Sequence, residues 1–289
     1  MTAAIFAAEH GAKVLILEHM ERTGKKIPAT GNGKCNFTNR MQGVSHYRGD
    51  DPAFVMPVFA QFGLEQTLDF FEELGICPKE KNGYFYPASE QASSVLAVLN
   101  MRLERLHVKV CCEIGIRRIQ KENGIFCFET KEGSYYGRTC ILATGGYAAK
   151  KTGSDGSGFI YAKKFGHQLS QPVPALVQLI AEQPFEKEMA GVRTTAGVGI
   201  FADGKLLHQD IGELQLTDYG ISGIPVFQVS RFAAKALAAG ADVKAELDFF
   251  PAVDDATLTQ ILNKRFGSGG IGKNAGEALI GMFADKLSA

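Results

Sequence analysis

The chain has 289 residues, with 31 basic and 31 acidic side chains and 45% hydrophobic residues. Such a length holds one large α/β domain or two smaller ones, and the even charge balance excludes a whole-chain field that would draw nucleic acid or anionic membrane. No apolar run approaches the roughly 18–20 residues of a membrane span and no secretory leader is legible, so the expectation is a reduced, cytoplasmic protein with neither partner. The six cysteines form no C-x-x-C pair and no His/Cys ligand spacing, which argues against a disulfide framework and against a metal site.

Residues 2–10, TAAIFAAEH, read as a helix of small and apolar residues stopped by Gly11. In a Rossmann unit such a helix follows a strand and a G-x-G-x-x-G turn, and neither precedes it here. A third glycine just before Met1 would put Glu18 near the ribose-acid position, about 20 residues on. The expectation is that Met1 is an internal methionine of a longer chain, its first strand and phosphate turn missing.

The next stretch organises the rest. Val14-Leu15-Ile16-Leu17 is too short for a helix and suits a strand buried on both faces. Glu18 stands at its carboxyl end, the edge where open α/β sheets bind ligands. A basic, glycine-punctuated loop follows: Gly24-Lys25-Lys26, then Thr30-Gly31-Asn32-Gly33-Lys34. Small residues let backbone N–H groups approach an anion, and the lysines add charge. An acid for a ribose hydroxyl beside a phosphate cradle reads as a dinucleotide site, with the dinucleotide left open.

Residues 52–75 carry apolar side chains at helical spacing, among them Phe54, Phe59, Phe62 and Phe71, and this aromatic stripe reads as core. Gly83–Pro87 is a short extended piece, and Ser89 caps a helix running to Arg105. From 107 the period becomes that of strands, over 108–112, 114–119, 125–130 and 134–137. Cys140–Thr144 is a further apolar strand running into Gly145-Gly146, the second strand-to-glycine junction. Thr152–Gly158 then leads into a helix to Phe165, with Asp155 as its cap. Beyond Pro172 short β-rich runs alternate with glycines, a helix falls near 225–239, and 254–289 reads as helical. The domain expectation is therefore 1–170 for nucleotide binding, 171–250 for an inserted β-rich substrate domain and 251–289 for a helical segment.

Residues 212–223 admit two readings. They are an ordinary strand-turn-helix junction, or a loop whose Asp218 or Tyr219 transfers a proton.

Four blocks are specific in combination: ATGNGKCNFTN (29–39), LATGG (142–146), TGSDGSGFIYAKKFGH (152–167) and GELQLTDYGISGIPVFQVSR (212–231). Together they resemble the BaiN-type family of FAD-dependent enzymes, described as aminoacetone oxidase-like flavoproteins and bile-acid Δ4,6-reductases. The resemblance implies an α/β fold, a Rossmann-like FAD-binding domain carrying an inserted β-barrel-like domain and a small helical segment. It also implies an FAD-dependent oxidoreductase passing hydride between flavin and a small organic substrate, with NAD(P)H or O₂ as electron partner. Carried over by residue, Glu18 binds the adenosine ribose, and Lys25, Thr30, Gly31, Asn32, Gly33, Lys34 and Asn36 wrap the pyrophosphate and flavin side. Val110 meets adenine through its backbone, Ala143, Thr144 and Gly145 make the second FAD contact, and Asp155 reaches the cofactor. Lys34 stands where arginine is usual, and Asp218 where many members have histidine. The G-x-G-x-x-G strand and a C-terminal return of roughly a hundred residues, a plausible half-domain, have no counterpart in this chain.

Three rival expectations differ in class. A non-catalytic fragment of such a flavoprotein would lack part of the FAD site. A flavoprotein that modifies tRNA would need a basic face, and a plain NAD-dependent dehydrogenase would not need the second glycine junction.

Overall fold

The computed structural model describes residues 1–49, 51–182, 187–267 and 274–288. The chain divides into two compact units, Met1–Leu169 and Ser170–Ala289.

In the first unit, helix α1 (Thr2–Glu9) leads to strand β1 (Leu15–Leu17). Strand β2 (Thr38–Asn39), helices α2 (Met56–Gln61) and α3 (Leu64–Glu73), strands β3 (Pro78–Lys81) and β4 (Tyr84–Pro87) and helix α4 (Ala92–Arg105) follow. The unit closes with β5 (Lys109–Cys111), β6 (Arg118–Glu122), β7 (Ile125–Glu129), β8 (Ser134–Gly137) and α5 (Ser157–Lys164). β1 pairs in parallel with β5, Ile16 opposite Val110. The other strands form two antiparallel three-stranded sheets, β2-β4-β3 and β6-β7-β8.

The core of this unit gathers Ile5 from α1, Phe70 from α3, Val95, Leu99 and Leu103 from α4, and Val108. Each such side chain contributes about 1.5–3 kcal/mol by leaving water. The later part of the expected aromatic stripe lies in this core, where Phe6 stacks on Phe70 at 5.2 Å and Phe37 meets Phe71 at 4.6 Å, whereas Phe54 is 69% and Phe62 37% exposed. α4 begins at Ala92, after Gln91 rather than directly after Ser89. The Ser89 hydroxyl instead bonds that of Ser94 at 2.9 Å.

One expected strand does not form. Cys140–Gly146 has no ladder partner among the described residues and runs as irregular backbone, with Ile141 63% and Leu142 41% exposed. An apolar run becomes a strand only when a neighbour satisfies its N–H and C=O groups.

The second unit is built on an antiparallel sheet of order β13-β10-β11-β12-β9. Its strands are β9 (Leu179–Ile180), β10 (Arg193–Ala202), β11 (Lys205–Thr217), β12 (Gly220–Gly223) and β13 (Val243–Asp248). A register shift between Ile200 and Phe201 bends the long β10–β11 hairpin, as a bulge does. Helix α6 (Ile224–Ala238) begins with Pro225 in its first turn and lays Val226, Val229 and Ala233 on Ala196, Val198, Ile200, Leu214 and Leu216. Helices α7 (Asp255–Phe266), α8 (Ala275–Leu279) and α9 (Asp285–Ser288) follow. Part of the expected 251–289 helical segment, residues 268–273, lies outside the described residues. No helix among the described residues is long and apolar enough to cross a membrane.

Candidate cofactor site

The site is assembled where β1 ends. The Glu18 N–H donates to the Cys111 carbonyl at 2.9 Å and the Glu18 carbonyl accepts from Ile114 at 2.9 Å, so the acid is held at the carboxyl edge of the parallel pair. Its Oε1 accepts from the Met20 N–H at 2.9 Å and lies 3.3 Å from His19 Nδ1, with the side chain 26% exposed.

The loop after it turns through left-handed backbone at three successive residues: Gly31 (φ 54°), Asn32 (φ 54°) and Gly33 (φ 82°). A Cβ on Gly31 would sit 2.7 Å from the Asn36 nitrogen, so glycine is required there. Gly31, Asn32 and Gly33 are exposed, and Thr30 is turned inward with its hydroxyl on the Ile27 carbonyl at 2.7 Å. Asn36 opens onto a shallow cavity of about 400 Å³, shared with Gln42, Tyr47 and Thr67.

The three lysines of this loop go to three places. Lys25 pairs with Glu21, four residues earlier in the chain, at 3.0 Å. Lys34 pairs with Glu90 at 2.6 Å, and that carboxylate also takes Lys79 at 2.6 Å. Hydrogen bonds from Lys34 and Lys79 hold the Glu90 carboxyl down to about 2, and the same bond raises Lys34. Lys26, read from sequence as loop charge alone, reaches across the unit. Its ammonium donates to the Ala148 carbonyl at 2.9 Å and to the Ser154 hydroxyl at 2.5 Å. Ser154 is 4% exposed.

The second glycine segment is packed just as closely. A Cβ on Gly145 (φ 72°) would lie 2.5 Å from Ser154 Oγ, and one on Gly158 would lie 1.9 Å from Thr144 Oγ1. The Thr144–Gly145 turn therefore rests directly on the first turn of α5. Asp155 sits at that helix start, its Oδ1 accepting from the Ser157 N–H at 3.0 Å, and these bonds to Ser157 hold its carboxyl below the ordinary range. A Cβ on Gly153 would be 3.3 Å from His19 Cε1 and 3.9 Å from Glu18 Oε1. The acid at the β1 edge and the 144–156 loop thus lie side by side, although no strand carries residue 143. Ala143, Thr144 and Gly145 are exposed, and Val110, opposite Ile16 on β5, is 38% exposed.

Asp218 and Tyr219 belong to the second unit. They form the exposed tip of the β11–β12 hairpin, closed below by Thr217 Oγ1 donating to the Gly220 carbonyl at 2.8 Å. All six cysteines are free thiols, with Cys35 buried among the first-unit core. Among the described residues no group of three or more His, Cys, Asp or Glu side chains is placed to hold a metal.

An acid at the carboxyl edge of a parallel β pair, flanked by two glycine-bearing loops, defines a Rossmann-type nucleotide-binding domain, joined here to an antiparallel β unit. The family profile described as HI0933-like protein Rossmann domain matches residues 1–274, and the chain belongs to that family. It is 43% identical over 290 aligned positions to the 3-dehydro-bile acid delta(4,6)-reductase of Clostridium scindens, covering 99% of this chain and 70% of the relative. It is also 25% identical to the ribosomal RNA dihydrouridine synthase of Haemophilus influenzae, over 78% of this chain and 57% of the relative. The synthase of the same description from Escherichia coli is 24% identical, over 80% of this chain and 58% of the relative. The chain thus spans well under two thirds of the two synthases. The family resemblance and the Rossmann-type fold read from the four sequence blocks are borne out.

Proposed function

We propose that this chain is an FAD-dependent oxidoreductase that reduces a carbon–carbon double bond conjugated to a carbonyl in a small organic molecule. The observation that carries the cofactor assignment is Glu18 at the carboxyl edge of β1 beside the 144–156 loop, which Lys26 ties to the loop after β1. Gly31 and Gly145 are cradles that a Cβ would fill, at 2.7 Å from a backbone nitrogen and 2.5 Å from a hydroxyl, and between them the backbone of 31–33 and 143–145 is exposed. This donor set suits an adenine dinucleotide. Bound FAD supplies the hydride-carrying ring.

The chain's own residues hold and orient. Glu18 accepts from the ribose hydroxyls. The backbone of Thr30–Gly33, with Asn36, binds the pyrophosphate and flavin side, and Thr144–Gly145 makes the second contact. Lys26 fixes the separation of the two loops. Lys25, Lys34 and Asp155 act at one remove, since each already has a partner within the chain. Asp218 and Tyr219 hold or move a proton at a carboxylate and a phenol oxygen.

The substrate class is supported by the relatives' descriptions. A delta(4,6)-reductase and a dihydrouridine synthase both name chemistry that saturates a double bond beside a carbonyl. Reduction with NAD(P)H as donor accordingly ranks above amine oxidation by O₂. A second reading, a nucleic-acid substrate, is favoured by the two synthases and opposed by the formal net charge of zero. The six free thiols support a reducing, cytoplasmic setting.

The test is anaerobic mixing of the purified, FAD-reconstituted chain with NADPH or NADH, followed by a steroid enone or by uridine-containing RNA. Bleaching of the flavin band followed by its return with the enone is the expected result. A colourless protein after reconstitution overturns the cofactor assignment, and reoxidation by RNA alone selects the second reading.

A further inference from the structure

Across the β3–β4 hairpin Lys79 stands opposite Tyr86 and Lys81 opposite Tyr84. Directly opposed residues share a face, and alternate residues along a strand share it too, so these four side chains form one platform. The reverse face is core: Phe85 is 5% exposed under the Arg40 guanidinium, which pairs with Glu80. Beside the platform lies a pocket of about 250 Å³ into which Lys34 also turns. Three lysines and two tyrosines line it against one carboxylate, Glu90, and Glu90 is shared by Lys34 and Lys79. Among the described residues Lys81 has no ion-pair partner, so the pocket keeps net positive charge.

Flat rings beside unneutralised ammonium groups suit a planar base that carries phosphate. Bases stack on aromatic faces, and lysines take phosphate as point charges. We propose that this hairpin face, which borders the flavin cradle where Tyr86 approaches Gly31 and where Lys34 leaves the loop, is a second nucleotide site that takes a soluble phosphorylated nucleotide with its base on Tyr84 and Tyr86 and its phosphate on Lys79, Lys81 and Lys34. The pocket has room for one nucleotide unit, and the chain's zero net charge favours a soluble nucleotide over a nucleic-acid strand. A pyridine dinucleotide, the electron donor the reductase reading requires, contains such a unit.

The test is calorimetric titration of the full chain with ADP and with NADPH in saturating FAD, so that the adenosine position at Glu18 is blocked or, should FAD not bind, shown spectrally to be empty. Saturable binding that weakens with salt is expected. Lys81→Glu should weaken it roughly tenfold, the effect of reversing a charge about 5 Å from a phosphate in a water-like dielectric. Tyr84→Ser should weaken it roughly fivefold or more through lost stacking. Both positions are exposed, unchanged circular dichroism checks the fold, and Lys131→Glu in the β7–β8 turn should leave binding unchanged. Absence of saturable binding, binding indifferent to both variants, or binding of a short oligouridylate without ADP binding would overturn the proposal. A colourless chain that still binds ADP in a Lys81-dependent way would support it while removing the flavin assignment.

Discussion

Lys26 donates to Ser154 across 128 residues of sequence, the ammonium and the buried hydroxyl meeting at 2.5 Å. With the second bond to the Ala148 carbonyl, this single side chain ties the loop after β1 to the segment leading into α5. Lys26→Met would leave Ser154 Oγ buried without its donor, at a cost of about 1–3 kcal/mol. The first unit should then melt several degrees lower, and FAD titrated by absorbance should bind more weakly. Lys26→Arg, which keeps a donor of similar reach, should restore part of both. Because the two partners act together, Lys26→Met with Ser154→Ala should cost less than the sum of the single changes. Unchanged flavin affinity in Lys26→Met would show that the strap does not set the cradle.

Gly158 and Thr144 give a matched pair. A methyl at Gly158 would lie 1.9 Å from Thr144 Oγ1 and 3.2 Å from its Cβ. Gly158→Ala should therefore push the Thr144–Gly145 turn off α5, costing about 1–3 kcal/mol by overpacking. Thr144→Ala removes the hydroxyl that blocks the methyl. The double variant should regain most of the lost stability by thermal melting, while a simple loss of helix geometry would give no rescue.

The contrast with Gly220 tests whether the obstacle is a side chain or the backbone. At φ 148° its Cβ would meet the Leu179 carbonyl at 2.2 Å and the Ala181 nitrogen at 2.8 Å. Neither can turn away without breaking the β9–β12 pairing, in which Gly220 sits opposite Ile180. Gly220→Ala should destabilise the second unit by roughly 3 kcal/mol or more, combining positive-φ strain with the clash. Limited proteolysis should then cut within residues 170–289 before 1–169, and no second-site side-chain truncation should repair it. Equal loss in both units would refute the assignment of the defect.

Much of the frame was legible because local signals and tertiary packing agree. The α6 helix followed from Pro225 and apolar spacing, and the later part of the aromatic stripe was core, with Phe70 and Phe71 against Phe6 and Phe37, while its first member, Phe54, stands 69% exposed because periodicity alone does not say which face finds a partner. Cys140–Thr144 was misread as a strand because apolar β-prone composition does not say whether a neighbour will complete the ladder. Glu18 and the glycine loop were legible as types, yet the partners of their lysines were not. Glu90 is 56 residues from Lys34 and adopts φ 51°, a left-handed conformation for which a glutamate carries no sequence signal. The Lys26 strap was invisible for the same reason, its partners lying 122 and 128 residues away.

Glu90 yields a pH prediction with a definite sign. Its carboxyl drops from an ordinary 4.5 to about 2 in the folded chain, first through the hydrogen bond from Lys34 and then through that from Lys79. A depressed folded value means the folded state binds fewer protons than the unfolded state in this window. The stabilisation is therefore complete above about pH 4.5 and is lost as pH falls toward 2. The three side chains are exposed, so the effect is small and shrinks as salt screens it. Melting the wild type and Glu90→Gln at low ionic strength from pH 7 down to pH 2 should give two curves separated by a constant gap at the upper end. The gap should close through the acid range, and added salt should narrow it throughout. A gap that persists unchanged at pH 2 would mean that the Glu90 amide variant is destabilised by lost packing, and that the Lys34–Glu90–Lys79 bridge does not titrate as the geometry requires.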